Sequence, residues 1–167
     1  IDYIGELPAF ERDFAVHAAI ADHFGYKLSI HSGSDKFSVF PTIGQYTHGH
    51  FHLKTAGTSW LEAMAVVAEH APALYREIHD FILPDAFYEA TKYYHVTTNL
   101  NNIPPLDSVP DEALVTLLET NNDERQLVHI TYGLILNEKA LDGSYRFRDR
   151  LYKVWRQYDK EYMQRLE

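Results

Sequence analysis

Apolar and polar positions along this chain alternate between a helical and an extended period. Over Leu7 to Phe24 the apolar residues Phe10, Phe14, Val16, Ala18 and Ile20 give an approximately helical face. Pro8 suits the first turn of that helix and Gly25 falls where a helix stops. Tyr26 to His31 predicts a strand, and Asp2 to Gly5 the end of another. Ser34 to Thr47 predicts a short helix, or one broken at Pro41. Phe51 to Thr55 predicts a further strand.

A long helix is expected over Ser59 to Leu83. Thr58 or Ser59 caps it, Glu62 is placed for a capping box, and Pro72 kinks or restarts it. Ala86 to Tyr94 continues as helix. Asn99 to Pro110, rich in proline and asparagine, predicts a loop. Pro110-Asp-Glu-Ala-Leu opens another helix with acids in its first turn. Asp123 to Leu136 predicts a buried helix, with a strand over Leu127 to Tyr132 as the alternative. In Tyr145 to Glu167, the residues Phe147, Leu151, Val154, Trp155, Tyr158 and Tyr162 form the apolar stripe of a docked terminal helix.

Helix, strand, helix, strand, helix implies parallel βα units. A parallel sheet is covered on both faces, and two or three strands are few for a sheet standing alone. The expected fold class is therefore α/β, the C-terminal part of a (β/α) TIM-like barrel with a helical C-terminal tail. Residues 1–58 supply βα units and residues 59–167 are mainly helical. The remaining strands are expected upstream, so the first partner of this region is the earlier part of the same barrel.

Composition narrows the function. The chain has 167 residues and is 46% hydrophobic, enough for a real core. A net charge of −9 argues against a nucleic-acid backbone as partner. No run approaches a membrane span. The absence of cysteine excludes disulfides and thiolate metal sites, and fits the reducing, cytoplasmic location expected here. Assembly with further copies of the chain stays open.

Ten histidines are available. His17, His23, His48, His70, His79, His95 and His129 fall in helical or loop patterns where packing or solvation accounts for them. His31 is different, since it closes a strand, where a barrel presents its functional groups. An imidazole there can ligate a divalent metal through one nitrogen. Lys36, soon after, suits a substrate carboxylate or phosphate, while Asp35 is better explained by a helix first turn. His50, His52 and Lys54 share one face of the second strand. Facing a barrel interior, that column is expensive to bury without a ligand or charge partners; facing outward, it is merely solvated. Arg125 and His129 lie four apart on one helix face, and Arg125 suits a carboxylate. There is no His-Glu-x-x-His, no phosphate-binding glycine loop and no dinucleotide fingerprint.

Three segments carry a resemblance. They are Lys27-Leu-Ser-Ile-His-Ser-Gly-Ser-Asp-Lys-Phe-Ser-Val-Phe-Pro41, His50-Phe-His-Leu-Lys-Thr-Ala-Gly-Thr-Ser-Trp-Leu-Glu62 and Asn122-Asp-Glu-Arg-Gln-Leu-Val-His-Ile-Thr-Tyr-Gly133. Together they resemble the tagaturonate epimerase family of hexuronate catabolism, over nearly the whole chain and the last third of such a protein. The resemblance implies a divalent-metal-dependent isomerase that interconverts D-tagaturonate and D-fructuronate, small sugar acids. It maps a metal ligand onto His31, a second ligand or a proton shuttle onto His50 or His52, and a carboxylate grip onto Lys36, Lys54 or Arg125. Retro-aldol cleavage and re-addition through an enediolate is the chemistry expected. Two other readings are a non-catalytic helical assembly module of a larger protein, and a barrel enzyme acting on another ketose or sugar acid.

Overall fold

The computed structural model describes residues 3–31, 33, 36–55, 57–94 and 96–167, with the backbone alone for Thr58. Asp35 and His95, both named above, lie outside the described residues. The chain divides into two compact units, Ile1–Thr58 and Ser59–Glu167.

In the first unit, helix α1 spans Leu7–Phe24, with proline in its first turn. Gly25 ends it in the left-handed conformation at φ 71°, where a side chain other than glycine would be strained. The Gly25 and Tyr26 N–H groups both return to the Ala21 carbonyl, so the helix cap takes the residues that open the expected strand. Strand β1 is accordingly shorter, Leu28–Ile30. Helix α2, Phe40–Thr47, starts later than its pattern suggests, because Lys36 to Val39 form a turn before it. Strand β2 is Phe51–Leu53. Tyr3 to Gly5 form no strand, and Asp2 lies outside the described residues.

The two strands pair in parallel, with Leu28 opposite Phe51, Ser29 opposite His52 and Ile30 opposite Leu53. Alternation sorts their side chains. Leu28, Ile30 and Phe51 pack against a core of Phe14, Ala18, Val39 and Ile43, contributed by α1, the turn before α2, and α2 itself. Ser29 and His52 occupy the opposite face and are exposed. Among the described residues the sheet thus has two strands, with its helices on one side. Val16 and Ile20, expected on the buried side of α1, are 58% and 42% exposed, because the core-facing stripe runs through Phe10, Phe14, Ala18 and Ala21.

The second unit is helical: α3 Thr58–His70, α4 Pro72–Phe81, α5 Phe87–Thr91, α6 Leu114–Thr120, α7 Asn122–Ile130, α8 Tyr132–Asn137, α9 Arg148–Gln157 and α10 Asp159–Leu166. The helix expected from Ser59 ends at His70 and restarts at Pro72, as the proline predicts. It is distorted again at Leu83, which is extended before Pro84. In α3, Leu61 and Ala63 to Ala68 are all buried, as in a helix enclosed on every side. Two indole N–H groups tie neighbours to it: Trp155 donates to the Ala63 carbonyl at 2.8 Å, and Trp60 to the Val128 carbonyl at 2.9 Å. The expected helix over Asp123 to Leu136 is two helices. The buried Thr131 hydroxyl bonds back to the Leu127 carbonyl at 2.7 Å, where α7 ends. No described helix is long and apolar enough to cross a membrane.

Candidate functional site

The site begins from strand geometry. Residues advance about 3.3 Å each along a parallel strand. His50, His52 and Lys54 therefore do not meet at one point: His50 precedes β2 at its amino end, His52 is central, and Lys54 follows at the carboxyl end.

The carboxyl end brings His31 and Lys54 together in backbone terms. The Lys54 N–H donates to the Ile30 carbonyl at 2.8 Å, and the Gly33 N–H to the Lys54 carbonyl at 2.9 Å. The loop leaving β1 is thus fastened to the end of β2. Gly33 is buried, and a Cβ there would stand 2.2 Å from Leu53 Cδ1, so any larger residue pushes that side chain aside. His31 is exposed directly after β1, and Lys36 is half-buried in the following turn. Open parallel sheets bind ligands outside these carboxyl ends.

At the centre of the polar face, Ser29 Oγ lies 2.8 Å from His52 Nδ1. Sequence reasoning missed Ser29. Its alternation with Leu28 and Ile30 marked it as facing away from the core, but only the strand register identifies its partner.

His50 sits in another environment. It lines a cleft of about 260 Å³ with Asp22, Tyr26, Lys27, Tyr46 and His48 at the amino end of the sheet. Helices α1 and α2 both end there, in the left-handed residues Gly25 and His48. Lys27 there complements the negative end of the α1 dipole.

Arg125 and His129 belong to the second unit, both half-buried on α7, as their spacing predicts. The same helix carries a fully buried carboxylate that the sequence did not single out. Glu124 accepts from the Tyr75 hydroxyl at 2.7 Å and lies 3.0 Å from His79 Nε2. Burial and the adjacent Glu124 carboxylate hold the Tyr75 hydroxyl well above its ordinary pKa.

A divalent ion wants four or more donors. Among the described residues, one group of three such donors converges, Glu69, His70 and Glu161. It has partners already. His70 pairs with Glu161 and stacks on Tyr158 at 3.8 Å, while Arg165 binds Glu69 at 3.1 Å and Glu119 at 2.9 Å. These contacts fasten α10 to α3. No comparable group gathers about His31 among the described residues.

The tagaturonate epimerase family matches residues 1–167, the whole of this sequence. The chain belongs to the tagaturonate epimerase family. It is similar to the tagaturonate/fructuronate epimerase of Thermotoga maritima, with 48% identity over 158 residues, covering 94% of this chain and 31% of that protein. It is also similar to the native crystal structure of fructuronate-tagaturonate epimerase from Cohnella laeviribosi. The identity is 59% and the TM-score 0.89, covering 99% of this chain and 33% of that one. A structure of the same Cohnella protein with two glycerols gives 58% identity and a TM-score of 0.90. The chain spans about a third of the length of these epimerases and corresponds to their C-terminal portion.

Proposed function

We propose that this chain is the C-terminal third of a cytoplasmic isomerase that interconverts D-tagaturonate and D-fructuronate. The observation that carries the reading is its 59% identity to the Cohnella epimerase over 99% of the chain. In this reading the two strands are consecutive staves of a (β/α) barrel, α1 and α2 lie on its outside, and upstream residues supply the other staves. The polar face of Ser29 and His52 then looks inward. What supports this is that α1 and α2 pack on the apolar side of the sheet, while Ser29 and His52 on its other face are exposed.

The two substrates differ at a carbinol carbon two bonds from the ketone carbon, whose C–H enolisation does not labilise. In the proposed reaction His52 takes the proton from the hydroxyl on that carbon. The bond to the carbon beside the ketone breaks, and its electron pair passes through that carbon to the ketone oxygen as an enediolate. The aldehyde so formed turns over. The enediolate re-adds to its other face, and the proton returns to the new alkoxide. Lys54 and Lys36, at the carboxyl end, hold the substrate carboxylate. His50, at the amino end, and Arg125, in the other unit, are left out of this assignment.

The family resemblance also implies a divalent cation, which would stabilise the enediolate oxygens. Among the described residues His31 is joined by no second and third donor, so it is proposed as one ligand only, and no step is assigned to the ion.

The test uses the longer polypeptide that contains this chain, with two isotopically distinct preparations of tagaturonate mixed in one reaction. Fructuronate should form, and some product should combine fragments of both labels. A polypeptide that leaves tagaturonate unchanged contradicts the activity. Turnover without any fragment exchange, together with tightly held nicotinamide, contradicts the cleavage mechanism.

A further inference from the structure

We propose that Ser29 is a positioning residue for His52: its hydroxyl oxygen accepts from Nδ1–H, fixing the ring tautomer and leaving Nε2 as the working nitrogen on the open face of the sheet. The inference rests on the reading of His52 given above and adds a residue to it.

The geometry is specific. Ser29 and His52 are direct partners in the parallel register, so the two strands themselves set their Cα separation. The Oγ to Nδ1 distance is 2.8 Å, within hydrogen-bond range. The residues on either side of Ser29, Leu28 and Ile30, are packed against the core, as is Phe51 beside His52. The backbone carrying both polar groups is therefore held from behind.

The direction of the bond follows from chemistry. A hydroxyl both donates and accepts, so either sense fits a neutral imidazole. A ring that exchanges a proton must also keep its orientation when charged, and then both nitrogens carry hydrogen. Only the Nδ1–H to Oγ sense survives that change. With Nδ1 occupied in both states, Nε2 alone gains and loses the proton. Serine is also short enough to reach Nδ1 across one strand spacing without covering the ring.

The primary test is the tautomer, which does not depend on turnover. Long-range 1H–15N correlation spectra of histidine-labelled protein, recorded where the ring is neutral, should show His52 as the Nδ1–H form. Ser29→Ala should move it toward Nε2–H, and Ser29→Thr, which keeps the hydroxyl, should retain Nδ1–H. An Nε2–H ring in the unaltered protein, or a spectrum unchanged in Ser29→Ala, would overturn the proposal. In the longer polypeptide, Ser29→Ala should lower kcat about tenfold with KM unchanged, and Ser29→Thr should recover most of the loss. A kcat unaffected by Ser29→Ala would overturn the positioning role. If His52→Ala itself leaves turnover intact, the site reading fails, and the tautomer spectrum tells that failure apart from a failure at Ser29.

Discussion

The hydroxyl of Tyr75 on α4 donates a 2.7 Å hydrogen bond to Glu124 on α7, both side chains being fully buried. The second carboxylate oxygen lies 3.0 Å from His79, also on α4. This interior network makes the second unit sensitive to alkali. The folded-state pKa of Tyr75 is raised above its ordinary value of 10.0. The unfolded chain therefore releases that proton first, so the stabilisation is complete below pH 10 and is lost as pH rises beyond it. The expected outcome is a Tm that falls steeply above pH 10, and a shallower fall in Tyr75→Phe. Some slope persists in that variant because Tyr46 and Tyr94 are shifted in the same direction. Identical slopes in the two proteins would contradict the assignment.

Replacing Glu124 itself should cost more. Glu124→Ala leaves His79 and Tyr75 buried with no carboxylate between them and opens a void. A buried polar group left unsatisfied costs about 1–3 kcal/mol, and two are left here. Urea denaturation should report a loss of that size, while Glu119→Ala, at an exposed position, should stay within about 1 kcal/mol.

The terminal helix is held by charge. Arg165 reaches Glu69 at 3.1 Å, Glu119 at 2.9 Å and Glu62 at 3.6 Å. Arg165→Ala should speed amide exchange across α10, leave α3 unchanged, and lower stability by about 1 kcal/mol. Added salt should shrink the difference between variant and parent. An unchanged exchange pattern in α10 would show that packing alone fixes the helix.

Much of the fold was legible because local signals agreed with one another. Helix α1 has the predicted bounds, since Pro8, the apolar stripe and Gly25 all mark the same segment. The two strands were visible as short apolar runs, and their parallel pairing follows from the helix between them. The misses came from tertiary contacts that outweigh pattern. The amphipathic stretch from Tyr145 is two helices that break at Tyr158, whose ring stacks on His70 of α3. The helix over Asp123 to Leu136 ends at Thr131, whose hydroxyl takes a carbonyl four residues back. For the site, alternation placed His50, His52 and Lys54 on one face. It could not show that Ser29 is the partner of His52, which belongs to the register that no single segment encodes.

Gly33 gives a test of the carboxyl-end loop. A Cβ at this position meets Leu53 at 2.2 Å, yet the backbone oxygen of Lys54 is at 3.4 Å, an ordinary contact. Gly33→Ala should therefore fold, displacing Leu53 and the loop that follows His31, at a cost of about 1–2 kcal/mol. In the longer polypeptide, the KM for tagaturonate should rise by at least several-fold. A KM unchanged beside a measurable loss of Tm would show that the loop serves packing only.

The most direct measurement compares two histidines two residues apart. In the longer polypeptide, kcat for tagaturonate epimerisation should fall at least about 100-fold in His52→Ala, as expected for loss of a general base. It should stay within a few-fold of the parent in His50→Ala, whose side chain lines the cleft at the amino end. A large loss in His50→Ala with near-normal turnover in His52→Ala would contradict the central claim that the polar face at β2 carries the chemistry.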